Sequence, residues 1–507
     1  MVPVRRFLSR PVRPSARAYL LATLCGALVA SGQAPLGWWF LALPALGVLM
    51  SLIAVQSSAR AIWLGWAGGA GYFATSLFWI VEPFLVDIAR HGWMAPFALL
   101  LMAAGMALFW GLAGALSTMG RTKGTRAVGF ALGLAATDLL RTYIFTGFPW
   151  ALLGHIWIDT PAMQASAFVG PIGLSLMAAL PVALPFLARR WPGRVALAAL
   201  GALVLGGVWM GGDMRLGQTN DLRDPSVRIR LIQPNAAQEL KWQGDMWRVF
   251  LDRQMAQTAL PASQPLDLII WPETAVPYLL DNVGGLFADM AKASGGVPIA
   301  TGIQRSEGAR YFNSLVVLNG AGEVFQRYDK FHLVPFGEYI PFGDAFATVG
   351  ISAFAAREGN GYTPGPGAQV LDLGRAGKAL PLICYEAVFP QDLNAAPERA
   401  DWIMQITNDS WFGDISGPYQ HLAQARLRAV EQGLPLLRAA NTGVTAVIDA
   451  KGRVLQSLAL NTEGVIDADL PPALPPTVYA QTGDVPATIV LFVAFLALGL
   501  LRRRISD

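Results

Sequence analysis

Seven apolar stretches follow one another over residues 1–212, and an eighth closes the chain. They run near 18–33, 36–55, 61–83, 94–118, 126–143, 164–187, 194–212 and 485–501. A helix needs about 20 apolar residues to cross hydrocarbon, and without water only a helix or a closed barrel satisfies its own backbone. This pattern predicts a polytopic α-helical membrane domain of eight spans. Composition agrees, with 54% hydrophobic and 14% charged residues, against roughly 25% charged in an average soluble domain. A net charge of +4 is too small to argue for a nucleic-acid partner.

The basic residues sort the short links into two kinds. Arg5, Arg6, Arg10, Arg13 and Arg17 precede the first span. Arg60, the group Arg121, Lys123 and Arg126, the group Arg189, Arg190 and Arg194, and Arg502 to Arg504 mark alternate links and the tail. Cytoplasmic links collect Lys and Arg. With the N-terminus inside, every basic link is cytoplasmic and both termini share that side. The first apolar run has small residues at Val29-Ala30-Ser31, as a cleavable signal would, but further spans follow at once, so an uncleaved anchor is expected. Asp138 and Arg141 lie one turn apart within the fifth span, where a charge is tolerated when paired or functional; an interfacial ion pair is the simplest account. Tryptophans 38, 39, 79, 93, 110, 150 and 157 suit an aromatic belt, with the lining of a lipid cleft as the alternative for some of them.

The division expected is residues 1–212 as seven helices, 213–484 as an extracytoplasmic domain, and 485–507 as the last helix with a basic tail. Residues 213–484 alternate strand and helix signals. Strands are expected at Val227–Ile232, Leu266–Ile270, Val297–Ile303, Phe312–Leu318, Glu323–Tyr328, Gln369–Leu373, Ala379–Ile383, Trp402–Thr407, Leu436–Asn441, Val444–Ile448 and Val454–Leu458. Helices are expected over Gly244–Leu260, Asn282–Ser294 and Pro418–Gln432. Asn319-Gly320-Ala321-Gly322 marks a hairpin turn. The mixed order implies an α/β domain. Residues 335–368, rich in Gly, Pro and aromatics, form a loop of the length that lids and binding loops have.

Three ionisable residues fall at strand ends or loop entries in this domain: Glu273 in LIIWPETAVP, Lys330 in QRYDKFHLVPFGEYIP and Cys384 in ALPLICYEAVFP. The chain has two cysteines, and Cys25 lies in the first span, so no disulfide framework is expected. A lone cysteine is either a small buried apolar side chain or a nucleophile. Carboxylate, ammonium and thiol together suit acyl transfer: thiolate as nucleophile, carboxylate as proton carrier, ammonium at the oxyanion. His332 and His421 are the histidines of this domain, and a Cys–His pair is the competing arrangement.

The strings WPETAVP, YDKFHLVPFGEYIP, ICYEAVFP and TNDSWFG, in that order, resemble the nitrilase superfamily and its Glu–Lys–Cys triad on an αββα sandwich. Set between seven spans and one, they resemble more closely the apolipoprotein N-acyltransferase family of the bacterial inner membrane, over essentially the whole chain. The resemblance implies a nitrilase-like αββα sandwich on the periplasmic side, with Glu273 as general base, Lys330 at the oxyanion and Cys384 as the acylated nucleophile. It implies that Glu338 holds Lys330, and that Trp242, Tyr385, Glu386, Asn408, Trp411 and Phe412, with Asp409 and Ser410 in the same loop, support the site or line the substrate cleft.

The resemblance also implies the substrates. A membrane phospholipid gives its sn-1 acyl chain to Cys384, and the α-amine of an S-diacylglyceryl cysteine on an apolipoprotein receives it. The bilayer is the third partner, a monomer is expected, and no metal or organic cofactor is called for. The alternative is a membrane-anchored nitrilase-type amidase or lipid hydrolase, with water as acceptor. A transporter with a degenerate outer domain would explain the spans but not the three ionisable residues together.

Overall fold

The computed structural model describes residues 15–219, 223–241, 243–341 and 361–504. Arg5, Arg6, Arg10, Arg13, Trp242 and the central part of the 335–368 loop lie outside the described residues.

One long helix overlaps each expected apolar stretch: Ala16–Ala30, Trp39–Ile53, Ser58–Ser76, Ala95–Ser117, Lys123–Tyr143, Ser166–Ala183, Trp191–Gly217 and Val485–Arg504. Among the described residues, four continuous helical stretches are long and apolar enough to cross a membrane: Ile88–Ser117, Pro161–Leu187, Trp191–Gly217 and Val485–Arg502. Ala16–Ala30 and Trp39–Ile53 are apolar but shorter. Ser58–Ser76 is diluted by glycines that serve close packing. A Cβ on Gly71 would stand 1.9 Å from the Thr23 carbonyl oxygen, and one on Gly65 2.4 Å from that of Trp110. Small residues let helix backbones approach where apolar surroundings supply no hydrophobic drive. Outward faces carry large apolar side chains, among them Leu203, Met210, Val490 and Phe492.

Two expectations about this region change. Trp79, Trp110, Trp150 and Trp157 are buried, so they are packing residues and not belt residues, whereas Trp93 is exposed. Asp138 and Arg141 do pair, at 3.0 Å, but inside the protein and not at an interface. Arg141 donates to the carbonyls of Phe148, Trp150 and Ala151, while Asp138 receives the Leu153 N–H and the Ser175 hydroxyl. The pair clamps the loop that leaves its own helix.

The polar segment folds into two six-stranded sheets. The first runs β12-β1-β2-β3-β4-β5, from β1 (Arg228–Gln233), β2 (Leu268–Ile270), β3 (Ile299–Glu307), β4 (Arg310–Leu318), β5 (Val324–Asp329) and β12 (Gly464–Asp469). The second runs β11-β10-β9-β8-β7-β6, from β6 (Leu371–Asp372), β7 (Lys378–Ile383), β8 (Trp402–Thr407), β9 (Leu436–Ala440), β10 (Thr445–Ile448) and β11 (Val454–Leu458). Both follow one pairing pattern. β1, β2 and β3 are parallel, as are β7, β8 and β9, and antiparallel strands flank each trio.

Strand alternation builds the layers. Leu268 and Ile270 join Ile383, Met404 and Ile406 in the core between the sheets. Ile269 points the other way, to Leu251 and Met290 on the helices Met246–Thr258 and Leu286–Ala293. On the far side, Ile403 and Leu436 pack on Ala425 and Ala429 of the helix Gly417–Gln432. The order is α–β–β–α. Helix Gly417–Gln432 is shared, because its Ala423, Leu427 and Val430 belong to the core that includes Trp150, Trp157 and Met163 of the helical region.

Strand β12 is absent from the expected set. Its sequence GVIDAD carries two aspartates, which strands ordinarily disfavour. They are held by register: Asp467 stands opposite Arg230 and Asp469 opposite Arg228, paired at 2.7 and 3.1 Å. Cross-strand charge pairs of this kind replace propensity.

Candidate active site

Each of the three strand-end residues stands where its strand stops. Cys384 follows β7 directly, opening the short turn Cys384–Val388, with φ at +53°. Few non-glycine residues occupy this left-handed region, and such strain gathers at functional sites. Lys330 follows β5 directly. Glu273 lies three residues beyond β2, beside Thr274 at φ +47°. That turn leans on Gly302 of β3, where a Cβ would meet the Thr274 nitrogen at 2.5 Å and the Glu273 Cα at 2.7 Å. Only glycine lets the Glu273 loop lie this close to the strand.

The three side chains are buried and converge. Lys330 Nζ lies 2.8 Å from Glu338 Oε2 and 3.8 Å from Glu273 Oε1. Asn313 of β4 donates to Glu273 Oε1 at 2.8 Å and to Glu338 Oε1 at 3.1 Å. The Asn408 N–H donates to Glu273 Oε2 at 2.8 Å, and the Val334 N–H to Glu338 Oε2 at 2.9 Å. One ammonium therefore serves two carboxylates.

Electrostatics follow from that count. Burial raises the Glu273 pKa and Glu338 adds to it, while Lys330, Asn313 and Asn408 pull it back only in part. Burial alone would lower Lys330, but Glu338 and Glu273 outweigh it and hold the ammonium charged. Burial and the negative charge of Glu273 push the Cys384 thiol up, against the pull of Lys330. The resting trio is a thiol, a carboxylate of raised proton affinity and a fixed cation. Such a set can pass the thiol proton to the carboxylate as the sulfur attacks a carbonyl, with the ammonium beside the developing oxyanion.

The neighbouring residues divide into distinct tasks. Glu386 receives the Ile383 N–H at 2.7 Å, the Tyr328 hydroxyl at 2.8 Å, and the N–H groups of Phe331 and His332 at 2.9 and 3.2 Å. It ties the Cys384 turn to the segment that carries Lys330; burial lifts its pKa to about 7 against those donors. Tyr385 packs edge-on to Phe389, ring centres 4.8 Å apart. Asn408 also donates to Gln238 and receives Asn441. Phe412 meets Trp79 at 5.0 Å and Trp150 at 5.5 Å, joining the sandwich to the helical region, and Trp411 packs against the same core.

Several residues escaped the sequence reading. Asn313 is one; its signal was a polar side chain inside the apolar run of β4. Lys241 is another: its ammonium donates to Thr274 Oγ1 at 3.1 Å, and burial lowers it to about 8 although Glu273 opposes this. It lines a cleft beside Glu273 with Ala236, Trp247, Phe250 and Pro272.

Behind Cys384 lies a second buried cluster. Arg438 of β9 pairs with Asp409 Oδ2, and Asp409 Oδ1 lies 2.9 Å from His421 Nδ1. His421 Nε2 lies 3.0 Å from the Cys384 carbonyl oxygen. The His421 ring thus addresses the cysteine backbone, while His332 faces Asp392 and the Thr146 carbonyl. Ligand atoms of Cys384, Asp409 and His421 fall within 4.8 Å of one another, a spacing a metal ion could use. The carboxylate is already committed to Arg438, His421 and the Thr407 hydroxyl.

Two family models match the chain: "Apolipoprotein N-acyltransferase N-terminal domain" over residues 25–184 and "Carbon-nitrogen hydrolase" over residues 228–475. Among curated relatives, the apolipoprotein N-acyltransferase of Caulobacter vibrioides is 38% identical, covering 100% of this chain and 96% of that protein. The one from Rhodopseudomonas palustris is 35% identical over 96% and 95% of the two chains. That of Brucella melitensis is 37% identical over 86% and 84%.

Proposed function

The chain belongs to the apolipoprotein N-acyltransferase family, and on that premise we propose that it carries a phospholipid sn-1 acyl chain, as a thioester on Cys384, to the α-amine of an S-diacylglyceryl cysteine. The observation that carries this is the meeting of Cys384, Glu273 and Lys330, from three separate strand ends, in one buried site with a single cation between two carboxylates.

In the first half-reaction the Cys384 thiol gives its proton to Glu273 and the sulfur attacks the ester carbonyl. Lys330 stabilises the oxyanion, and Glu338 keeps Lys330 in place. The intermediate collapses with cleavage of the carbon–oxygen bond, Glu273 returns the proton to the leaving glycerol oxygen, and a lysophospholipid departs. In the second, the lipoprotein amine attacks the thioester, Glu273 takes a proton from nitrogen, the carbon–sulfur bond breaks and the thiol is restored. The products are an amide and the resting enzyme. Trp242, Tyr385, Glu386, Asn408, Trp411 and Phe412 support the site or line the cleft.

Both substrates are bilayer lipids, so the helices serve as the platform on which donor and acceptor arrive. Residues 1–212 and 485–507 form the membrane part, with eight spans and both termini cytoplasmic. Residues 213–484 stand on the periplasmic side of the bacterial inner membrane. Every group of the site comes from one chain, so a monomer suffices. A membrane-anchored amidase would use the same triad, but one span would suffice to anchor it.

The test uses purified protein with labelled phospholipid. A hydroxylamine-sensitive acyl adduct is expected, lost in Cys384→Ala; an adduct surviving that substitution sinks the mechanism. With a diacylated lipopeptide added, N-acyl product is expected, whereas free fatty acid alone supports the hydrolase.

A further inference from the structure

We propose that His421 is a positioning residue for acyl transfer: its Nε2 holds the Cys384 carbonyl and thereby aims the thiol. This rests on Cys384 being the acylated nucleophile. The proton carrier of the mechanism is Glu273, so the chemistry leaves His421 without a part, yet the ring is fully buried against the nucleophile.

Cys384 sits at φ +53°, a conformation that persists only where surrounding groups enforce it. From the strand side, the Ile383 N–H is tied to Glu386. From the other side, the Cys384 carbonyl oxygen faces His421 Nε2 at 3.0 Å and receives Gln405 Nε2 at 3.3 Å. An oxygen fixed this way fixes the peptide plane, and the plane sets the direction of the Cα–Cβ bond.

The ring itself has little freedom. Nδ1 lies 2.9 Å from Asp409 Oδ1 and 3.3 Å from Arg438 Nη2. Trp150 and Phe412 pack on it with ring centres 5.7 and 5.5 Å away. The preceding residue, Gln420, receives the indole N–H groups of Trp79 and Trp150 at 3.2 and 2.7 Å and donates to the Ser76 carbonyl. The helix that carries the ring is thus pinned to the helical region. Nε2 donates to Cys384 in two forms of the ring: the neutral tautomer protonated there, with Nδ1 accepting from Arg438, and the doubly protonated ring, with Nδ1 donating to Asp409. With the proton on Nδ1 alone, Nε2 instead accepts from Gln405 Nε2, 3.2 Å away, and the carbonyl is left to that amide. Burial and Arg438 favour the neutral form.

Two variants separate aiming from packing. His421→Gln places an amide nitrogen where Nε2 stood, and His421→Asn places one where Nδ1 stood and leaves the carbonyl. The full chain in phospholipid micelles is acylated by labelled phospholipid, and the rate is scaled to the folded fraction. His421→Asn should slow acylation at saturating donor up to about 100-fold, the scale of a misplaced reacting group, with KM for the phospholipid unchanged. His421→Gln should keep most of the rate. Equal rates in all three proteins overturn the proposal, as do equal losses in both variants or a change in KM alone. Gln405→Leu, which removes the other donor to that oxygen, should also slow acylation, and an unchanged rate there counts against the proposal. If wild type forms no adduct, or Cys384→Ala still does, the nucleophile reading fails, which is a different result.

Discussion

Two buried charge clusters flank Cys384, and they are balanced in opposite directions. In front, two carboxylates, Glu273 and Glu338, share the ammonium of Lys330. Behind, one carboxylate, Asp409, is shared by the guanidinium of Arg438 and the ring of His421. Burial acts alike on both. In front, burial leaves Glu273 with a raised pKa, which Lys330 pulls back only in part and Glu338 adds to. Behind, burial would raise Asp409 too, but Arg438 and His421 hold it well below the usual carboxylate range. The front therefore holds a carboxylate of raised proton affinity, and the back one of lowered proton affinity. What a buried carboxylate can do depends on the excess of partners around it more than on depth.

The largest expected contrast comes from neutralising one group on each side. Glu273→Gln keeps the shape of the front and removes its proton carrier, so acylation should fall by about 10²–10⁴. The same change relieves a buried negative charge, and thermal unfolding should stay at or above that of wild type. Arg438→Met does the reverse. It strands the Asp409 carboxylate without its cation, which costs about 3–5 kcal/mol of stability, while acylation per folded molecule falls far less than in Glu273→Gln. Denaturation midpoints and adduct rates measured on both proteins decide the matter. The contrast breaks if the stability loss follows Glu273 or the activity loss follows Arg438.

The same division explains what could be read from the chain. The front was legible because its residues sit where a strand stops, and the flanking WPETAVP, YDKFHLVPFGEY and ICYEAV strings carry the family resemblance. The back was not. Arg438 lies in LLRAA, the middle of a buried strand, where a lone arginine reads as an interruption and not as a partner for a residue far away in sequence. His421 was visible as a possible partner of Cys384, but whether a ring faces Sγ or a carbonyl depends on helix placement, which periodicity does not encode. The strands followed from residue patterning, except for β12, whose aspartates hide it until Arg228 and Arg230 stand opposite, while the four-layer order came from the family resemblance. The short apolar helices Ala16–Ala30 and Trp39–Ile53 show a similar limit, since hydropathy finds the segments but not the glycine contacts that shape their packing.

The smallest effects give the finest test of why the front titrates. Glu338 raises the Glu273 pKa, whereas the amide of Asn313 lowers it. If Glu273 is the base, acylation rises with pH as that carboxyl ionises, so the acid limb of the rate profile marks its pKa. Glu338→Gln removes a neighbouring negative charge, lets Glu273 ionise earlier and should move the limb to lower pH. Its plateau should also drop, because Lys330 loses its 2.8 Å partner. Asn313→Ala removes a donor to the ionised form and should move the limb to higher pH, with a plateau loss of about 0.5–1.5 kcal/mol, the net worth of a hydrogen bond. Opposite shifts from two neighbours of one carboxylate are a signature that general loosening of the site cannot imitate. Limbs that move together, or stay put, would mean that the titrating group is not Glu273, and that the imbalance of charge in front of Cys384 is not what sets its chemistry.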